Sequence, residues 1–406
     1  MQDNIKIMEN PSIEMVKGFH SNGIHCGLKK DNKLDLGVVV SEVSAKSFAL
    51  YTTNKVKGAP LYVCKKHLKD NKAQALVVNS KIANTCTGEK GIANSIEICK
   101  KTAEELKINT EDVLPMSTGV IGEHLPVDKI TKGIEKLSGI IKEKNDNNFS
   151  KAIMTTDTYH KIKGVKVIIN EIECTIVGTA KGSGMIHPNM ATMLAFIFTD
   201  AKINSKLLEK AFKDSIEKSF NSITVDGDTS TNDTAIILAN GLAENKEIKN
   251  KNSEEYKTFS EALNQLASSL AKEIVKDGEG ATKFVEVNIK NAKTTHDAKK
   301  AAMSVAKSSL VKTAFFGEDP NWGRILCAIG YSGINFDPSW TELYFNDLLL
   351  FKNGEKTNFS EEIAKKILQN NEIKVNIDLK SGNKNWTVWT SDLSCDYIKI
   401  NANYRT

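Results

Sequence analysis

KGSGMIHPNMATMLAFIFT, residues 181–199, is where the architecture of this chain becomes readable. Lys181, Gly182, Ser183 and Gly184 make a polar, glycine-broken loop that runs through Pro188 to Ala191 and Thr192. From the threonine onward, Met193, Leu194, Ala195, Phe196, Ile197 and Phe198 form an apolar run that reads as a buried strand. A small residue and a hydroxyl residue therefore meet where a loop becomes a buried strand. If Thr192 Oγ attacked the Ala191 carbonyl and the ester hydrolysed, Thr192 would become a new N-terminus. A hydroxyl is a weak nucleophile without a base, and a free α-amine can be that base. Its pKa of about 7.7–8.0 leaves a useful neutral fraction at neutral pH. Taken alone, the segment reads more readily as an ordinary loop and strand, so the rest of the chain decides.

Outward on the N-terminal side, 34–43 and 47–53 read as paired strands and 74–80 as a third, leading to a polar turn at 84–88. Helices are expected over 91–106, with Ile92, Ile96 and Cys99 on one face, and over 130–141. Residues 111–126 end a strand in a Ser-Thr-Gly turn, and 164–180 read as a hairpin. On the C-terminal side, Leu208, Phe212, Ile216 and Phe220 mark a helix over 205–220. Strands at 222–225 and 235–239 flank the polar loop DGDTSTNDT, 226–234. Phe259, Leu263, Leu266, Leu270 and Ile274 stripe a long helix over 254–275, closed by Asp277 and Gly278. Further strands are expected at 285–289, 373–379 and 386–390, and helices at 298–313 and 360–369. Strands mixed with helices, without strict alternation, point to an α+β or layered α/β fold. There is no internal repeat or long linker, and a break after Ala191 would divide the chain nearly in half.

The 406 residues suffice for a large core in two or three domains or one large α/β unit. Hydrophobic content of 40% and charged content of 26% are those of an ordinary globular chain. The net charge of +5 is dispersed, without a basic block interleaved with aromatics, so no nucleic-acid surface is expected. Seven scattered cysteines without a CxxC pair argue against a disulfide framework or a zinc site, and for a reducing compartment with most thiols in the core. The first residues lack a basic stretch followed by an apolar run, and no segment approaches the roughly 18 apolar residues of a membrane span. The cytoplasm is the expected location, with no membrane association.

Acyl transfer by a hydroxyl needs donors for the oxyanion, each typically worth about 3–4 kcal/mol of barrier. Ser117-Thr118-Gly119 offers a hydroxyl beside a glycine whose N–H can approach closely, although in isolation such a triplet is more often a plain tight turn. TTDT, 155–158, and DGDTSTNDT suit either a polar ligand or simple turns. DGEGATK, 277–283, and KGSG lack the GxxxxGK[ST] spacing, which excludes a P-loop. Lys181 is a cation near the nucleophile, able to meet a carboxylate or to lie solvated on the surface. His187, a lone loop histidine, reads as structural, and no metal-ligand spacing appears.

Taken together, VVNSKIANTCTG (77–88), STGVIGEHLP (117–126), TTDT, KGSGMIHPNMATML (181–194), FNSITVDGDTSTNDT (220–234), DGEGATK, GEDPNWGR (317–324) and NANYRT (401–406) resemble the ornithine acetyltransferase family, glutamate N-acetyltransferases of the cyclic arginine pathway. The segments occur in family order over essentially the whole chain. One departure is Lys81-Ile82, where the family usually has a Gly-Asn pair, and it is expected to touch no chemical residue.

The resemblance implies autoproteolysis between Ala191 and Thr192, giving an α chain, 1–191, and a β chain, 192–406, in an α2β2 heterotetramer from one gene. It implies a fold of sheets sandwiched by helices, similar to self-processing N-terminal-nucleophile aminopeptidases. By motif, Thr192 is the nucleophile, Thr118 and Gly119 form the oxyanion hole, and Thr158, Lys181, Thr192, Glu279, Asn401 and Thr406 contact substrate. The expected substrates are N2-acetylornithine and glutamate, with acetyl-CoA as a further acetyl donor and neither metal nor bound cofactor. Lys181 suits the α-carboxylate of acetylornithine and Glu279 its side-chain ammonium, because buried charges need partners. The rival readings are a related aminopeptidase and an uncleaved binding protein.

Overall fold

The computed structural model of the protein describes residues 4–187 and 193–403. Ala191 and Thr192, at the expected cut, and Thr406 lie outside the described residues. The first sheet contains β1 (Ile5–Ile7), β2 (Phe19–Ile24), β3 (Leu36–Tyr51), β4 (Lys72–Asn79), β5 (Val113–Ser117), β6 (Lys161–Ile169), β7 (Ile172–Lys181), β8 (Leu194–Thr199) and β10 (Thr234–Ala239). The second contains β9 (Ile223–Thr224), β11 (Phe284–Ala292), β12 (Glu342–Phe345), β13 (Leu348–Lys352), β14 (Glu355–Lys356), β15 (Glu372–Asp378) and β16 (Lys384–Ser391). The helices are α1 (Ala59–His67), α2 (Gly88–Leu106), α3 (Val127–Gly139), α4 (Asn148–Ala152), α5 (Ser205–Lys218), α6 (Glu254–Lys276), α7 (Thr295–Lys307), α8 (Ser309–Phe316), α9 (Trp322–Gly330), α10 (Glu361–Leu368) and α11 (Cys395–Asn403).

Strand order in the first sheet is β1-β6-β7-β8-β10-β3-β4-β5, with β2 against β3. At its middle β8 and β10 run parallel, from Leu194 opposite Thr234 to Thr199 opposite Ala239. Every residue of both is buried, as expected of apolar strands covered on both faces. Ala195, Ile197, Ala235 and Ile237 face α5 and α6, joining Phe212, Phe259, Leu263 and Leu266 in one core. Phe196, Phe198, Ile236 and Leu238 face the other way and meet Leu76 and Val78 of β4 and Leu114 and Met116 of β5. Ala75 and Val77 of β4 then face α2 and α3 through Ile98, Cys99, Ile130 and Ile134. The result is helix, strand, strand, helix, the sandwich that the family resemblance implied. Each fully buried large apolar side chain in these cores contributes about 1.5–3 kcal/mol.

Where 34–43 and 47–53 were expected as two strands, β3 is one strand of 16 residues. It pairs with β2 and β4 near its start and with β10 near its end, and its register against β4 shifts between Val40 and Ala45. That irregularity lets one strand serve both strand layers, which the polar residues near Ser44 disguised as a turn. The single helix expected over 298–313 is two, because Ser308 adopts an extended conformation and caps α8. Strands β1, β2, β12, β13 and β14 and helices α1, α4, α9 and α11 went unanticipated. All seven cysteines are free thiols, but only Cys64, Cys99 and Cys174 are buried, fewer than the majority expected. The second sheet packs Val285, Val287, Ile289, Val375 and Ile377 against Ala298, Ala301, Ala302 and Val305 of α7. Among the described residues no helix is long and apolar enough to cross a membrane.

Candidate active site

A cavity of about 270 Å³ opens where the ends of β5 and β7 meet the loop after β9 and helix α11. Thr118, Gly119, Lys181, Glu279 and Asn401, all singled out from sequence, line it. Met193 lines it too, and Thr192 is covalently joined to Met193.

Thr118 and Gly119 follow directly on β5. The Thr118 amide donates to the Asn79 carbonyl at 3.1 Å, so the donor this residue has to offer is its hydroxyl. Lys181 Nζ donates to Thr118 Oγ1 at 3.4 Å, which leaves the hydroxyl hydrogen to point elsewhere. Gly119 has φ +131° and lies against the Lys81–Ile82 peptide, where a Cβ would come within 2.1 Å of the Lys81 carbonyl carbon. The Lys81-Ile82 departure is therefore in contact with the candidate oxyanion hole, contrary to the expectation. Lys81 itself has φ +86°, a backbone conformation that suits glycine and strains lysine.

Lys181 is the last residue of β7 and only 9% exposed. Burial, helped by Lys161, pushes its ammonium below the ordinary lysine range, while Asp157 and, more weakly, Asp233 and Glu279 oppose that shift. Beneath it, Asp157 accepts from Lys161 Nζ and from the Gly182 amide, each at 2.7 Å. Burial alone would raise the Asp157 carboxyl, but Lys161 and Lys181 hold it at about 2. Lys161 also pairs with Asp277. Thr158 belongs to this underlying brace: its amide and hydroxyl both donate to Asp277, and it does not line the cavity, whereas Thr155 and Thr156 of the same motif do.

Glu279 is held from three sides. Its amide donates to the Ser183 carbonyl at 3.0 Å, Asn401 Nδ2 donates to its carboxylate at 2.8 Å, and Gly184 leaves the room the carboxylate occupies. A Cβ on Gly184 would fall 2.3–2.6 Å from that carboxylate. Asp392 fixes the following turn by accepting from the Thr282 and Lys283 amides, and Ser394 bonds the Gly280 carbonyl while capping α11. Helix α11 then presents Tyr397 and Asn401, four residues apart, on one face.

Sequence reasoning passed over Tyr397, Asp226 and Asp228 as individual site residues. Asp226 accepts from the Met185 and Ile186 amides at 2.6 and 2.9 Å, and burial raises its carboxyl. Burial, then the carboxylates of Asp226, Asp228 and Glu279, push the Tyr397 hydroxyl up. The density of short carboxyl side chains in DGDTSTNDT was a usable signal for the aspartates, whereas nothing local marks Tyr397. Among the described residues no cluster of His, Cys, Asp and Glu is arranged to hold a metal ion.

The arrangement puts one buried cation beside a hydroxyl donor and a close-approach glycine, in a cavity that Glu279 and three aspartates also line. That suits a zwitterionic ligand whose reacting group lies next to its own carboxylate. The ArgJ family model matches residues 20–406. An arginine biosynthesis bifunctional protein ArgJ from Caldanaerobacter subterraneus subsp. tengcongensis is 49% identical over 398 residues, 97% of this chain and 98% of that one. A second from Clostridium acetobutylicum is 46% identical over 408 residues, the full length of both. A crystal structure of an arginine biosynthesis bifunctional protein ArgJ from Bacillus halodurans, 42% identical with a TM-score of 0.51, matches 52% of this chain with 100% of its own. Likeness of this extent, running through every segment that builds the cavity, favours the acetyltransferase reading over the aminopeptidase and shows that the chain belongs to the ArgJ family.

Proposed function

We propose that the protein is a self-processed acetyltransferase of arginine biosynthesis that moves the acetyl group of N2-acetylornithine to glutamate through an ester on Thr192. The carrying observation is the 3.4 Å contact between Lys181 Nζ and Thr118 Oγ1. In N2-acetylornithine the α-carboxylate and the acetamido group share one carbon. A lysine that binds the carboxylate therefore delivers the acetyl carbonyl to the neighbouring donors. Glu279, which also lines the cavity and is oriented by Asn401, suits the side-chain ammonium.

The cycle has two halves. Thr192 Oγ attacks the acetyl carbonyl as the threonine's own α-amine takes the hydroxyl proton. Thr118 Oγ1 and the Gly119 amide stabilise the oxyanion, the C–N bond breaks, and ornithine leaves with the proton. The glutamate amine then attacks the ester, giving N-acetylglutamate and free Thr192. Residues 1–191 and 192–406 are the two chains after the Ala191/Thr192 cut, assembled as an α2β2 heterotetramer in the cytoplasm. A solved relative whose whole chain spans about half of this one supports a two-chain product. Thr158 and Thr406 complete the substrate contacts, and acetyl-CoA serves as a second donor without any bound cofactor.

The test is initial-rate kinetics with both substrates varied, alongside the denatured intact mass. Parallel double-reciprocal lines and two chains, one beginning at Thr192, are expected. Intersecting lines would overturn the acyl-enzyme, and an uncut but active chain would overturn the amine base.

A further inference from the structure

Residues 185–187 and 226–229 form a thin partition. Ile186 bridges Thr229, Thr229 Oγ1 donates to the His187 carbonyl at 2.9 Å, and Met185, Asp226 and Asp228 face the candidate active site. On its other side the partition lies near the Lys307 side chain, whose Cε would be 3.7 Å from a Cβ at Gly227, and His187 borders a second, larger cavity of about 580 Å³. His187, His296, Lys299, Lys300, Lys307 and Tyr331 line this groove, and no Asp or Glu does.

The cations come mostly from α7. His296, Lys300, Met303 and Lys307 recur at helical spacing on one side, while Ala298, Ala301, Ala302 and Val305 are buried in the core. Lys299 pairs with Glu217. Lys300 Nζ donates only weakly, to the Gly333 carbonyl at 3.4 Å. Among the described residues neither Lys300 nor Lys307 has a carboxylate partner, unlike the neighbouring Lys299. Burial first, then Lys307 and Lys299, hold the His187 imidazole down at about 4, a sign of how closely these cations converge on the partition. Tyr331, 62% exposed, adds an aromatic face on which a base can stack.

We propose that this groove binds the phosphate-bearing nucleotide end of a thioester acetyl donor, whose acyl end reaches over the partition to Thr192. The inference rests on the reading of Thr192 as an acetyl acceptor. His187 and Thr192 are five residues apart, so about 18 Å of fully extended chain is the most that separates their backbones before any cut. In this half-reaction Thr192 Oγ bonds the thioester carbonyl carbon, the C–S bond breaks, and the thiol leaves with the hydroxyl proton. Lysines without internal partners then have a function: they neutralise phosphates.

The experiment titrates coenzyme A into the wild-type protein and the Lys300→Glu/Lys307→Glu double variant by calorimetry, and measures both acetyl-transfer reactions. Wild-type binding that weakens with salt, a tenfold or greater loss in the variant, and a matching rise in KM for acetyl-CoA are expected, with acetylornithine-to-glutamate transfer unchanged. Equal coenzyme A binding by both proteins overturns the proposal. So does a wild type that transfers acetyl from acetylornithine but binds no coenzyme A, or one that binds inorganic tripolyphosphate as tightly as coenzyme A. A wild type that binds coenzyme A in the groove yet transfers nothing from acetylornithine would instead sink the reading of the active site. If the double variant is unstable, Lys307→Ala, at an exposed position, is read in its place, with a threefold or greater loss expected.

Discussion

At Gly119 the approach of two backbone segments sets what the pocket can do. The approach is possible because Gly119, the proposed second oxyanion donor, has no Cβ to strike the Lys81–Ile82 peptide. Lys81 on the opposite side has φ +86° and carries strain that a glycine would not. Lys81→Gly is expected to raise stability by up to about 1 kcal/mol, read from urea midpoints at unchanged m-value; a lower midpoint would mean that the lysine side chain more than offsets the strain. Thr118→Ala should lower kcat by about 10²–10³. Thr118→Ser should retain most of the rate, since the hydroxyl is the donor. Gly184→Ala drives a methyl group into the Glu279 carboxylate. It is expected to raise KM for acetylornithine about tenfold or more while the chain still cuts itself; the reverse pattern would place Glu279 in processing instead.

At the scale of elements, the ends of β6 and β7 and the start of the loop after α6 are tied by a fully buried charge cluster: Lys161 between Asp157 and Asp277. Asp157 stands at about 2, against an ordinary 3.8. A depressed carboxyl binds fewer protons folded than unfolded, so its stabilisation is complete above about pH 4 and disappears as pH falls toward 2. A shift of that size corresponds to about 2 kcal/mol. Urea unfolding of the wild type and Asp157→Asn should show a gap that is wide at pH 6 and narrows steadily below pH 4; a gap constant with pH would mean that the cluster acts only by packing. The gap at pH 6 is expected to reach about 3–5 kcal/mol, because the variant leaves Lys161 and Lys181 short of a counter-charge.

At the scale of the whole molecule, the proposed cut divides the chain but not the fold. β8 and β10 follow residue 192, yet they lie between β7 and β3, which precede it. The segment 1–191 therefore lacks the middle of its own sheet, and Phe196 and Phe198 of the other segment fill the core between its strand layers. Expressed alone, 1–191 should be unfolded or aggregated, with exposed strand edges at β7 and β3. Co-expressed with 192–406, it should give a stable complex in gel filtration with the circular dichroism of the intact protein. A well-folded, monomeric 1–191 would contradict the interleaved sheet.

Much of this was already legible in local sequence. Apolar runs and helical stripes placed β8, β10, α5 and α6, because burial on both faces or on one stripe leaves a periodic trace. Thr118, Gly119, Lys181, Glu279 and Asn401 stood in recognisable motifs, and the cavity gathers all five. What the sequence could not carry was distance between remote segments. Nothing near residue 81 tells that its peptide lies against Gly119, nor near Thr158 that its side chain turns to Asp277 beneath the cavity. The continuity of β3 through a polar stretch and the place of Tyr397 depend likewise on partners far along the chain. Periodicity is written in neighbours a few residues apart, so the sequence by itself determined most of the long elements, and its motifs marked the candidate site residues. Sheet order, the close backbone approach at Gly119 and the charge balance around Lys181 arise only when segments well separated along the chain are packed together, so only the tertiary structure decided them.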